Sequence, residues 1–139
     1  MFVLDTNVVS ELRKVHAGKA HPGVAEWASN VPSGQLFVSS ITIHELEHGV
    51  LLAKRADPAR GAVLHRWLDE SVAAAFDQRV LPVDEPVARR AAALHIPDPA
   101  PFRDALIGAT ALVHRMAVVT RNAKVFERFG DLEVLNPWR

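Results

Sequence analysis

Apolar positions follow two rhythms along this chain. Four short runs, Phe2 to Leu4, Leu36 to Val38, Val80 to Val83 and Ala117 to Val119, with a weaker fifth at Leu132 to Leu135, have the length of strands. Between them the spacing changes to one apolar residue every three or four: Val24, Trp27, Val31; Ile43, Leu46, Val50, Ala53; Leu64, Leu68, Val72, Ala75; Val87, Ala91, Leu94; Ala105, Ala109, Leu112, Met116. These are the one-sided stripes of helices. The punctuation agrees. Asp57-Pro58 divides two helices, Asp84 can cap a helix with Pro86 in its first turn, and Pro97 to Pro101 breaks the chain before the last long helix.

Strands alternating with helices through short loops predict an α/β fold, with a short, mostly parallel central sheet covered on both faces. No repeat, low-complexity tract or linker interrupts the 139 residues, so residues 1–139 read as a single domain. Ser40 to Ala56 and Ala59 to Phe76 read as a helical hairpin with more apolar surface than one sheet face covers. Ordinary core packing and a dimer or partner groove both fit that excess.

Composition then removes several chemistries. The chain has no cysteine, which excludes thiol nucleophiles, thiolate zinc sites and a disulfide scaffold. No stretch approaches the roughly 20 apolar residues of a membrane span, and Val3 and Leu4 lead straight to Asp5, too short for a signal-peptide core. The expected setting is the cytoplasm, with no membrane partner. Sixteen Lys and Arg balance 16 Asp and Glu, so nucleic acid is not held here by bulk positive charge. A local contact could use Arg13, Lys14, Lys19, Arg103, Arg121, Lys124 and Arg128, which equally suit a normally charged surface.

In open parallel sheets, functional groups gather beyond the carboxyl ends of the strands. Asp5 follows the first strand directly, a position that also suits a helix cap. Glu45 comes early in the helix after the second strand, at the edge of its apolar stripe and therefore half sheltered. Asp104 opens the helix before the fourth strand, with only the small Gly108 and Ala111 further along its face, which predicts room above it. Thr120 and Asn122 end the fourth strand. If strands one and four are neighbours, Asp5, Glu45 and Asp104 converge beside Thr120 and Asn122, and their repulsion calls for a cation. All-oxygen ligation favours Mg²⁺ or Mn²⁺, ions that activate water for attack on phosphodiesters.

A competing motif overlaps Glu45. His44-Glu45-Leu46-Glu47-His48 fits the HExxH pattern of zinc metalloproteases, with Glu70 downstream as a third ligand. Both histidines fall off the apolar stripe, where solvated side chains need no further reason, and the pattern leaves Asp5 and Asp104 unexplained.

Several segments, taken in order, carry a family resemblance. They are Leu4-Asp5-Thr6-Asn7-Val8-Val9-Ser10-Glu11, Val38-Ser39-Ser40-Ile41-Thr42-Ile43-His44-Glu45-Leu46, Phe102-Arg103-Asp104-Ala105-Leu106-Ile107-Gly108-Ala109-Thr110-Ala111, Val118-Val119-Thr120-Arg121-Asn122 and Asn136-Pro137-Trp138. Together they resemble PIN-domain ribonucleases of the VapC and FitB type, the toxins of type II toxin-antitoxin modules.

The resemblance implies a three-layer α/β/α PIN-like fold and a Mg²⁺- or Mn²⁺-dependent endoribonuclease cleaving structured RNA such as transfer RNA. It also implies a homodimer and inhibition by a cognate VapB-like antitoxin, whose tail inserts a basic side chain among the acids. By resemblance, Asp5, Glu45 and Asp104 bind the metal, and Thr6, Asn7, Thr120 and Asn122 orient ligands and waters. Many members carry a fourth acid where this chain has Val125. One well-bound ion is therefore expected, with Asn122 or Glu127 as partial substitutes. A catalytically silent binding module is the alternative that Val125 leaves open.

Overall fold

Val3 and Leu4 are adjacent and both fully buried, which a strand achieves only when helices cover both faces of its sheet. The computed structural model describes all 139 residues. Its strands are β1 (Phe2–Leu4), β2 (Leu36–Ser39), β3 (Val80–Leu81), β4 (Ala117–Val119) and β5 (Val134–Leu135), in spatial order β3-β2-β1-β4-β5. Every pairing is parallel, and Leu4 of β1 lies beside Val119 of β4, the adjacency on which the site depends.

The helices are α1 (Thr6–Leu12), α2 (Pro22–Ser29), α3 (Ser40–Ala56), α4 (Pro58–Arg66), α5 (Ala73–Ala75), α6 (Glu85–Ala93), α7 (Phe102–His114) and α8 (Ala123–Glu127). Side-chain alternation sorts them into two layers. Leu4 and Val119 face a cluster with Val8, Val9, Leu46, Val50, Leu68 and Val72, from α1, α3 and the segment between α4 and α5. Val3 and Val118 face Ala105, Ile107, Ala111, Phe126 and Phe129, from α7 and the α8 region. Val87 and Ala91 of α6 pack on Leu106 and Ala109 of α7. The result is the expected α/β/α arrangement with a short parallel sheet.

The departures from the sequence reading have local causes. Strand β3 stops at Leu81 because Pro82 has no N–H for the ladder. Leu132 packs with the α7 cluster and does not join β5. Helix α2 ends at Ser29, leaving Val31 outside; the side chains of Ser29 and Asn30 both donate to Glu26 O, at 2.8 and 2.9 Å. Helix α1, only seven residues long, shows no stripe of its own in the sequence. The second helix of the hairpin starts at Pro58 and continues through a π-helical stretch, Trp67–Val72, into α5. The space at Gly108 does not open above Asp104: a Cβ there would lie 2.8 Å from Phe129 Cδ2, so the glycine admits that ring against α7.

Candidate active site

Asp5 directly follows β1, and its N–H donates to Val119 O of the neighbouring strand at 2.9 Å. It is also the N-cap of α1, with Oδ1 accepting from Thr6 N at 2.8 Å. The cap and the site are thus one residue. Its Oδ2 accepts from Thr120 Oγ1 at 2.8 Å and from Asn7 Nδ2 at 3.3 Å. Three bonds fix the carboxylate, and the side chain is buried.

Glu45, half-buried on α3, is aimed inward by Thr6, whose hydroxyl donates to Oε1 at 2.8 Å. Asp104, in the first turn of α7, lies across an open cavity of about 400 Å³ lined by Glu45, Pro101, Phe102, Arg103 and Asp104. Helix α7 begins there because the proline-rich segment ending at Pro101 cannot continue a helix and Pro101 supplies the N-cap backbone.

The charges of these acids reach one another. Burial pushes the Asp5 carboxyl above its ordinary range; the Thr120 and Thr6 hydrogen bonds pull it back, and the charge of Glu45 pushes it up again. Burial, then the charges of Asp5 and Glu45, push Asp104 up to about 6, with Arg103 acting the other way. No Lys or Arg forms an ion pair with any of the three.

A divalent cation fits this arrangement. The donors are all hard oxygens, and neither Asp104 nor Glu45 Oε2 has a hydrogen-bond partner. Three unpaired carboxylates in one field are stabilised by positive charge. The oxygens do not all lie within 4.8 Å of one another, an opening that suits an ion retaining several waters.

The bond from Thr120 has a measurable consequence. Thr120→Val removes a donor from a buried acceptor, which costs about 1–3 kcal/mol, and moves the Asp5 pKa further up. Urea unfolding of the metal-free protein should show that loss; a change below about 0.5 kcal/mol would count against Thr120 as an anchor of Asp5.

Other expected residues are placed differently. Asn122 contributes through its backbone, its N–H donating to Thr120 Oγ1 at 2.9 Å, while its side chain is exposed and makes no hydrogen bond to the acids. Asn7 joins both sides of the site, since its Oδ1 also accepts from Arg121 N at 3.3 Å. Val125 packs against the α7 cluster, and Glu127 stands exposed beside Arg121 and Lys124, in a different depression from the acids. Neither supplies a further carboxylate to the site.

The zinc-protease pattern is not assembled. His44 and His48 stand exposed with ring centroids 6.4 Å apart, no third ligand group joins them, and Glu70 lies on the π-helical stretch. A separate group does come together: Glu47, His65 and Asp69 place ligand atoms within 4.8 Å of one another. His65 Nε2 is 3.4 Å from Glu47 and 3.6 Å from Asp69, while Nδ1 is hydrogen-bonded to the Lys54 ammonium. The group, with Lys54, ties α3 to His65 of α4 and to Asp69 of the π-helical stretch after it.

Two roles escaped the sequence reading. Thr42, fully buried one turn ahead of Glu45, lies 3.3 Å from Thr6 Oγ1 and helps to seat it. Its signal was the three-residue spacing to Glu45. Glu11 serves the scaffold: it accepts from His21 N at 2.8 Å, which holds its carboxyl below the ordinary range, and pairs with Lys14.

Comparison with known proteins places the whole chain beside one family. The PIN-domain family profile matches residues 2–132. The chain is 35% identical to Toxin FitB of Neisseria gonorrhoeae over 144 residues, covering 99% of both chains. It is 36% identical to VapC ribonuclease Y4jK of Sinorhizobium fredii over 143 residues, covering 99% of this chain and 98% of that one. A solved structure of FitAB bound to a DNA fragment superimposes with a TM-score of 0.87 at 33% identity, covering 100% of this chain and 96% of that one. The acids at the carboxyl edge of the sheet, the α/β/α layers and these likenesses lead to one statement: the chain belongs to the PIN-domain family.

Proposed function

We propose that this chain is a divalent-metal-dependent endoribonuclease, the toxin of a type II toxin-antitoxin module, acting on structured RNA such as transfer RNA. The observation that carries this reading is that Glu45 and Asp104 line one cavity while the buried Asp5 lies close enough for all three charges to act on one another, with no Lys or Arg paired to any of them. Relatives named as a ribonuclease and as a toxin, alike over the full chain, support it.

Asp5, Glu45 and Asp104 would hold Mg²⁺ or Mn²⁺, which when bound activates water and neutralises charge on the transferring phosphoryl group. The chain's own residues do the positioning. Thr120, Asn7 and the Thr6 N–H fix Asp5, the Thr6 hydroxyl fixes Glu45, and Arg103 lines the cavity with positive charge for an incoming phosphate. Leu51, Leu52 and Val63, all exposed on the α3–α4 hairpin, support a homodimer, and the FitAB likeness supports a cognate VapB-like antitoxin. No helix is long and apolar enough to cross a membrane, which accords with action in the cytoplasm.

The test is incubation of pure protein with total transfer RNA in Mg²⁺, Mn²⁺ or EDTA, beside Asp5→Asn. Cleavage is expected with either metal and in neither control. Cleavage that persists in EDTA, or in the variant, would contradict the proposal.

A further inference from the structure

The sequence offers seven cations for RNA, and the fold divides them. Arg128 is spent on Pro99 O and Asp98 O at 3.2 and 3.1 Å, Lys14 on Glu11 at 3.2 Å, and Arg13 lies over Trp67, its Cζ 5.9 Å from the ring centroid. Arg121 and Lys124 are used otherwise. With Arg139 from the far end of the chain, and with Asn122 and Asn136, they line an open depression of about 440 Å³. Glu127 is the only acid in that lining, and none of the three cations forms an ion pair with it or with any other carboxylate.

The fold holds this concentration of positive charge in place. Arg121 lies over Trp138, its Cζ 5.7 Å from the ring centroid, and Asn136 Nδ2 donates to Arg121 O at 3.5 Å. Gly23 admits the tail: a Cβ there would collide with Pro137 O and lie 2.6 Å from Arg139 O, so α2 clamps the segment carrying Arg139. The depression is also coupled to the acids. Arg121 N donates to Asn7 Oδ1 and Asn122 N donates to Thr120 Oγ1, and both of those side chains donate to Asp5 Oδ2.

We infer that this depression binds a phosphodiester of the RNA backbone next to the one being cut. The inference rests on the ribonuclease reading above. Three cations against one unpaired acid, Glu127, leave a net positive charge that an anion relieves, and two amides beside them offer further donors to phosphate oxygens. A repeating polyanion whose scissile phosphate sits at Asp5 passes within one or two nucleotides of Arg121 and Lys124. Charge of opposite sign on two adjoining sites then sets the path of the strand, metal and scissile phosphate on one side and bare backbone on the other.

The experiment measures binding of a fluorescent single-stranded RNA oligonucleotide in EDTA across a salt series. It compares the parent with Lys124→Gln/Arg139→Gln and with a control pair on distant exposed cations, Arg55→Gln/Arg90→Gln. Each lost phosphate contact removes about 0.7 from the slope of log affinity against log salt, so the first pair should lose about 1.4 in slope and about 25-fold in affinity at 0.1 M salt. The control pair should change neither, and all variants should melt with the parent.

In Mg²⁺, cleavage by the first pair should show raised KM with kcat little altered. Equal effects from both pairs, unchanged RNA binding by the first pair, or unchanged RNA binding with weakened antitoxin binding would overturn the assignment. A parent that binds RNA as described but cuts none would overturn the ribonuclease reading alone.

Discussion

Asp104→Asn should melt higher than the parent in EDTA at pH 7.5 and be the poorer nuclease by about two to three orders of magnitude. The two effects have one origin. In the metal-free protein Asp104 is charged at neutral pH although burial, Asp5 and Glu45 all resist that charge, pushing its pKa up to about 6 from an ordinary value near 3.8. A raised carboxyl pKa means that the native state holds its proton more tightly than the unfolded chain does. The associated stability is fully present below about pH 4 and is lost as pH rises through about 6. The asparagine variant does not titrate and escapes the loss. A shift of this size corresponds to nearly 3 kcal/mol for a fully buried group; Asp104 is half-exposed, and solvent screening reduces the expected gain to about 1 kcal/mol.

Saturating Mn²⁺ should reverse the order of melting, because only the parent keeps the full donor set for an ion that binds the native state. Thermal melts at pH 4.5, 6 and 7.5, with EDTA and with Mn²⁺, check both parts. A variant less stable than the parent in EDTA at pH 7.5 would show that Asp104 is a helix-dipole acid and not a member of a repelling cluster.

Gly61→Ala should cost about 2 kcal/mol of stability, even though alanine is the better helix former by about 1 kcal/mol. Gly61 is buried where α4 crosses α3, and an added Cβ would run into the Cα and N of Lys54. Backbone atoms cannot swing aside as a side-chain tip does, so the helices must separate. Separation also strains the Lys54–His65 bond that joins α3 to α4. Gly49→Ala on the same hairpin is the matched control, since nothing lies within 4 Å of a Cβ there and the substitution should stabilise slightly. Urea midpoints for the two variants decide it. Equal or greater stability of Gly61→Ala would contradict the close crossing.

The sequence pattern carries the strands well because the central ones are covered on both faces, with Val3, Leu4, Val38 and all of β4 buried, leaving short apolar runs that turn residues isolate. It also exposes Asp5, an acid standing directly at the end of such a run, and the first-turn position of Asp104. What it hides depends on contacts between distant segments. The seating of Glu45 by Thr6 joins residues 39 apart, and the bond from Thr120 to Asp5 joins residues 115 apart. Neither has a local signature. The backbone bond from Asn122 N to Thr120 Oγ1 is hidden for the same reason, since it depends on how the chain turns after β4. Gly108 illustrates a further limit. A small residue near an acid reads as room for a ligand until Phe129 is found to fill it.

Calorimetric titration of Mn²⁺ into the parent, Asp5→Asn, Glu45→Gln and Asp104→Asn tests most directly whether these three side chains share a single centre. One ion per chain is expected for the parent, since Val125 supplies no further acid, with affinity falling at least tenfold in each variant. Two ions of similar affinity, or undiminished binding in all three variants, would contradict it.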